Sequence, residues 1–84
     1  MKITPTRIAI NQANEARSLI VAGHTKRARR KLRSARRKMA GLTGRGRVAD
    51  RLLGQALEHL IDREHGSACD KARAAVDCLI GVMS

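Results

Sequence analysis

Apolar residues recur at helical spacing in four separate stretches of this chain. In the first, Ala9, Ala13, Ala16 and Ile20 share one face. Thr4-Pro5 ahead of them suits an N-cap followed by a first helical residue, and Gly23 behind them suits the residue just past a helix end. This predicts a helix over about 5–22. In the second, Ala28, Leu32, Ala35 and Met39 stand at i, i+4, i+7 and i+11 and form a stripe roughly 60° wide. With Thr25 as N-cap and Gly41 as terminator, the helix is expected over about 26–40. In the third, Val48, Ala49, Leu52, Leu53, Ala56, Leu57, Leu60 and Ile61 cover more than half the circumference of a helix over about 47–64, ended by His65-Gly66. A helix this apolar is expected to be the central and most buried one. In the fourth, Ser67 and Asp70 resemble a capping box opening a helix over about 68–82. Its inner stripe is Ala68, Cys69, Ala72, Ala75, Val76, Leu79, Ile80 and Met83, and Ala74, Cys78 and Val82 make a second, thinner seam.

The expected fold is therefore all-α: a compact bundle of four short helices arranged as two antiparallel helical hairpins. One domain spans 1–84, divided into a basic hairpin (1–41), a linker (42–46) and a neutral apolar hairpin (47–84). The hairpins echo each other loosely, with Ala28, Leu32 and Met39 matching Ala72, Val76 and Met83 at an offset of 44. Through Ala16, Gly23, Ala28, Leu32 and Ala35 the first hairpin also resembles a tetratricopeptide hairpin, whose small-residue spacings these positions meet over about 25 residues. That family's aromatic positions are not met, and the second hairpin fits it only with a one-residue slip. The resemblance implies two closely packed helices, which small residues at these spacings allow in any tight helical hairpin.

Charge changes the picture more than length does. The 84 residues carry 18 Lys+Arg against 7 Asp+Glu, a formal net charge of +11. All of that excess lies in residues 1–42, where Glu15 is the single acid; residues 43–84 hold equal numbers of basic and acidic side chains. Lys26, Arg27, Arg29, Arg30, Lys31, Arg33, Arg36, Arg37 and Lys38 surround the apolar stripe of the second helix, interrupted by Ser34 alone. Like charges at i,i+3 and i,i+4 cost a few tenths of a kcal/mol per pair, and a helix built only for solubility would mix signs. An external polyanion accounts for the run better, and nucleic acid is the commonest one. Arg45 and Arg47 add charge in the linker region. The chain has no Phe, Tyr or Trp, which excludes base-stacking platforms. A helix-turn-helix fits poorly, because it places Arg29 where an apolar residue is needed. The expectation is a regulatory or accessory nucleic-acid-binding protein, with those eleven basic residues as the contact set. The alternative is a protein–protein interaction module or inhibitor docking the same helix on an acidic protein surface.

Other chemistry is sparse. His59, His65, Cys69 and Cys78 lack the paired short spacings of a zinc site. Ser67 has no adjacent base, and Gly44-Arg45-Gly46 lacks the Lys-Ser/Thr of a phosphate loop. No enzyme activity, metal or other cofactor is expected. No apolar run approaches the length of a membrane span or a secretory signal, so a cytoplasmic protein without membrane contact is expected. A core without aromatic residues is thin for a chain this short. Self-association is expected to support it, with Ala74, Cys78 and Val82 as the face of a homodimer.

Overall fold

A computed structural model of the chain describes residues 4–39 and 44–83. The fold is an all-α bundle of four helices, α1 (Pro5–Val21), α2 (Thr25–Met39), α3 (Arg45–Ile61) and α4 (His65–Met83). Ala40, Gly41 and Leu42-Thr43, which hold the expected end of the second helix and start of the linker, lie outside the described residues, as does the side chain of Met83. The remainder of the expected linker is structured. Gly44 stands at the N-cap with φ 61°, and Arg45 and Gly46 already belong to α3.

Thr4 caps α1, its side-chain oxygen accepting from Arg7 N at 3.2 Å, and Pro5 takes the first helical position where no N–H is needed. The two hairpin turns are built alike. Gly23 N donates to Ile20 O (3.1 Å) and His24 N to Leu19 O (2.8 Å); forty residues on, Arg63 N donates to Leu60 O (3.2 Å) and Glu64 N to His59 O (2.7 Å). Both are Schellman ends, which need a residue in the left-handed region. Gly23 meets that need at φ 85°, but the second turn uses Arg63 at φ 63°. With the glycine signal missing there, the second turn falls at 62–64, three residues ahead of the expected place. His65, Gly66 and Ser67 lie inside α4 instead of ending α3 and capping α4. Thr25 is likewise the first residue of α2, with His24 before it accepting from Ala28 N.

α1 packs on α2 and α4, and α3 on α2 and α4, so the helices close a ring around one core with none at its centre. The expectation of a central third helix is thus corrected. Val48 and Ile61 on α3 are 48% and 58% exposed, and Ile80, placed in the inner stripe of α4, is 52% exposed. Among the described residues, sixteen of the eighteen buried apolar side chains repeat with a displacement of 40, the exceptions being Leu57 and Val76, whose counterparts are Arg17 and Arg36. Ala9, Ala13, Ala16 and Ile20 of α1 correspond to Ala49, Leu53, Ala56 and Leu60 of α3. Ala28, Leu32, Ala35 and Met39 of α2 correspond to Ala68, Ala72, Ala75 and Leu79 of α4. The true repeat is therefore 40 residues, not 44. Half of the corresponding buried pairs are alanine in both copies, which lets the backbones approach closely. No polar or charged residue is buried among the described residues.

Candidate nucleic-acid interface

α2 occupies one edge of the ring and turns Ala28, Leu32, Ala35 and Met39 inward. At 100° per residue the rest of the helix divides into three strips. Lys26, Arg30, Arg33 and Arg37 form the outward ridge, and all four are exposed. From the first to the last, the ridge runs about 16 Å along the helix axis. Arg29 and Arg36 lie on the flank toward α3. Arg27, Lys31, Ser34 and Lys38 lie on the flank toward α1.

The flanks are partly tied to their neighbours. Lys31 Nζ meets Glu15 Oε2 of α1 at 2.9 Å, and Arg36 Nε donates to Asp50 Oδ1 of α3 at 3.0 Å. The Arg36 guanidinium also lies against Gly54 of α3, where a Cβ would come within 3.2 Å of its central carbon. Ser34, the one gap in the cationic run, accepts from Gln12 Nε2 at 2.9 Å. Lys26, Arg27, Arg29, Arg30, Arg33, Arg37 and Lys38 have no carboxylate in ion-pair range among the described residues.

Arg45 and Arg47, counted with the helix on sequence grounds, are both exposed in the first turn of α3. They do not act as one group. Arg45 is turned to α4, where its side chain occupies the space beside Gly81 and its carbonyl accepts from Cys78 Sγ at 3.2 Å. Arg47 stands on the outward side of α3. Of the seam on α4, Ala74 and Cys78 are half-buried and Val82 is exposed. Cys69 Sγ donates to Arg17 O at 3.8 Å. No three His, Cys, Asp or Glu side chains gather as a metal site, and no helix is long and apolar enough to cross a membrane, among the described residues.

Sequence reasoning missed a groove between α2 and α3 at the end of the bundle where both hairpin turns lie. It measures about 390 Å³ and is lined by Thr25, Lys26, Arg29, Leu60, Ile61, Arg63 and His65. Arg29 Nε is buried there without a protein hydrogen-bond partner. Its cations come from both hairpins, so no local pattern announces it. The 40-residue repeat, once in register, is the signal that would have found it.

No protein-family model matches the chain, and comparison with curated proteins and solved structures found no match.

Proposed function

We propose that this protein binds nucleic acid through α2, in a regulatory or accessory role, with the ridge Lys26, Arg30, Arg33 and Arg37 meeting phosphates. The observation that carries the reading is the combination of charge and burial on this helix. Among the described residues, seven of its cations have no carboxylate in ion-pair range, and every apolar side chain of α2 is already spent on the core. A docked protein draws affinity from buried apolar or aromatic anchors, and the exposed part of α2 offers none. Phosphates need only the cations. Arginine adds bidentate contacts to phosphate or guanine. Membrane adsorption would need bulky apolar residues opposite the charge and open to the lipid, and those of α2 face the core.

The test is charge reversal of the ridge. Arg33→Glu with Arg37→Glu should weaken binding to a duplex of about two helical turns by roughly a hundredfold or more, read by fluorescence anisotropy, with the helical circular dichroism unchanged. The wild-type affinity should fall with salt at a log–log slope no steeper than about −6, the value for seven neutralised phosphates. Undiminished binding by the double variant overturns the assignment to α2. A slope near zero overturns nucleic acid as the partner.

A further inference from the structure

The groove between α2 and α3 has a partial counterpart between α4 and α1, where Val21 and Cys69 stand at the positions of Ile61 and Arg29. The counterpart measures about 520 Å³ and is lined by Asn14, Arg17, Ser18, Val21 and Cys69. Shifting by 40, Arg29 becomes Cys69, Lys26 becomes Gly66, Arg63 becomes Gly23 and Ile61 becomes Val21. Three cations of the first groove become uncharged residues under the shift, and the second groove holds one cation of its own, Arg17, where the repeat has Leu57. The fold alone therefore yields a cleft at this place, and the convergence of three cations is an addition to it.

Two features of that addition carry a cost. Arg29 Nε is buried without a protein partner, as Arg17 Nε is beside the counterpart groove, and each forfeits a hydrogen bond unless a ligand or water supplies the acceptor. What sets the first groove apart is that Lys26 and Arg63 converge on it with Arg29. Arg63 holds a left-handed backbone at φ 63° in a turn whose twin uses glycine. Arginine is strained in that region and glycine is not. Strain of this kind collects where a side chain has a use. The lining holds no carboxylate: its charged groups are Lys26, Arg29 and Arg63, with the His65 imidazole alongside. The nearby acid Glu64 lies at 3.2 Å from His59 on the other side of the turn.

We infer that this groove binds a phosphate monoester carried on a flat or apolar body, the chemistry of a nucleoside monophosphate. A monoester dianion brings more charge than the bridging phosphate of a strand and several acceptor oxygens for three convergent cations. The exposed Ile61, backed by the buried Leu60, supplies an apolar wall that a bare anion would not use. The space also exceeds what a single phosphate fills. A free mononucleotide and the phosphorylated 5′ end of a strand present this same chemistry. The groove shares Lys26 and Arg29 with the proposed α2 interface, so the deciding variant is Arg63→Gly, which lies outside that interface and relaxes the backbone.

The experiment titrates adenosine 5′-monophosphate, adenosine and inorganic phosphate into the full chain, followed by amide and methyl NMR. The monophosphate should saturate with shifts at Ile61, Arg63 and His65. Adenosine should give none, and phosphate should bind more weakly. Arg63→Gly should lose at least about tenfold in affinity with no loss of thermal stability. A second arm compares duplexes with a 5′-phosphate and a 5′-hydroxyl. A preference that Arg63→Gly removes assigns the ligand to strand ends, and equal binding assigns it to free mononucleotide. Absent saturation, unchanged affinity in Arg63→Gly, or equal shifts at Ser18 and Val21 of the counterpart groove overturns the inference. Monophosphate binding without duplex binding would leave this site standing and overturn the reading of α2. Duplex binding without monophosphate binding would do the reverse.

Discussion

The hairpins α1–α2 and α3–α4 follow one plan, and they diverge where the plan leaves the residues free. Their helices, Schellman turns and inward positions coincide at a displacement of 40. Their surfaces do not. α2 carries nine cations and no acid, whereas the corresponding α4 mixes Asp70 and Asp77 with Lys71 and Arg73. Packing fixes the inward positions, four apolar ones on each of α1 and α2 and five on each of α3 and α4, and says nothing about the outward ones. A bundle with both hairpins decorated like α4 would satisfy the same core. The charge of α2 is therefore a feature for which the fold has no need, and function is the natural place to look for its cause. Reversing Arg33 and Arg37 should cripple binding. Reversing Arg73, the counterpart of Arg33 on α4, should change it less than about threefold, since that helix is near neutrality.

The next largest effect tests whether the shared core is as symmetric as the backbone. Leu32 is fully buried where the repeat has Ala72. Leu32→Ala should cost about 2–5 kcal/mol in urea unfolding, the lost transfer energy plus the cavity left behind. Ala72→Leu should cost about 1–3 kcal/mol by overpacking. If the two sites lie in one plastic layer, the double exchange should recover part of the sum. Strict additivity would show that the repeat is a likeness of backbone only.

A smaller effect separates the turns. Gly23 has open space around its missing Cβ, so Gly23→Ala should lose about 1 kcal/mol through backbone strain alone. Arg63→Gly should gain up to a similar amount on relaxing the left-handed residue, offset by the greater entropy of glycine in the unfolded chain. Thermal melts of the two variants should move in opposite directions. A shift of the same sign in both would break the equivalence of the turns.

These residues also explain what the sequence revealed and what it hid. The inward stripes of α1 and α2 were legible in full, because each has four small or aliphatic residues at i, i+4, i+7 and i+11. The four-helix class followed from them. The second turn was not legible, because its left-handed residue is Arg63 and the nearest glycine, Gly66, lies within the helix. That displaced the end of α3, the start of α4 and the repeat register together. Val48 and Ile61 read as core because apolarity does not report which neighbour is present, and a four-membered ring covers only one side of α3. The cations of α2 were legible as a set. Their division was not: Arg29 and Arg36 surround the stripe like the other seven, and it takes α3 alongside to make them a flank. Glu15 and Asp50 lie sixteen and fourteen residues from the cations they bind, beyond any local pattern.

Those two carboxylates give the smallest test, and it bears on the comparison most directly. Lys31 and Arg36 are held by α1 and α3 through half-exposed pairs, with side-chain exposures of 40% and 54% for Lys31 and Glu15 and of 43% and 34% for Arg36 and Asp50. Water screens such pairs, so each contributes under about 0.5 kcal/mol to stability. Asp50→Asn should leave the melting temperature almost unchanged. It should nonetheless release one cation beside the outward ridge, raising duplex affinity about twofold and steepening the salt slope by about one unit. Glu15→Gln should do the same through Lys31. If both substitutions leave the slope unaltered, phosphates do not reach the flanks of α2 and the contact is confined to Lys26, Arg30, Arg33 and Arg37. If the slope steepens, the bundle's own carboxylates compete with the ligand, and the two sparse acids beside α2 set how far the bound strand can spread across the helix.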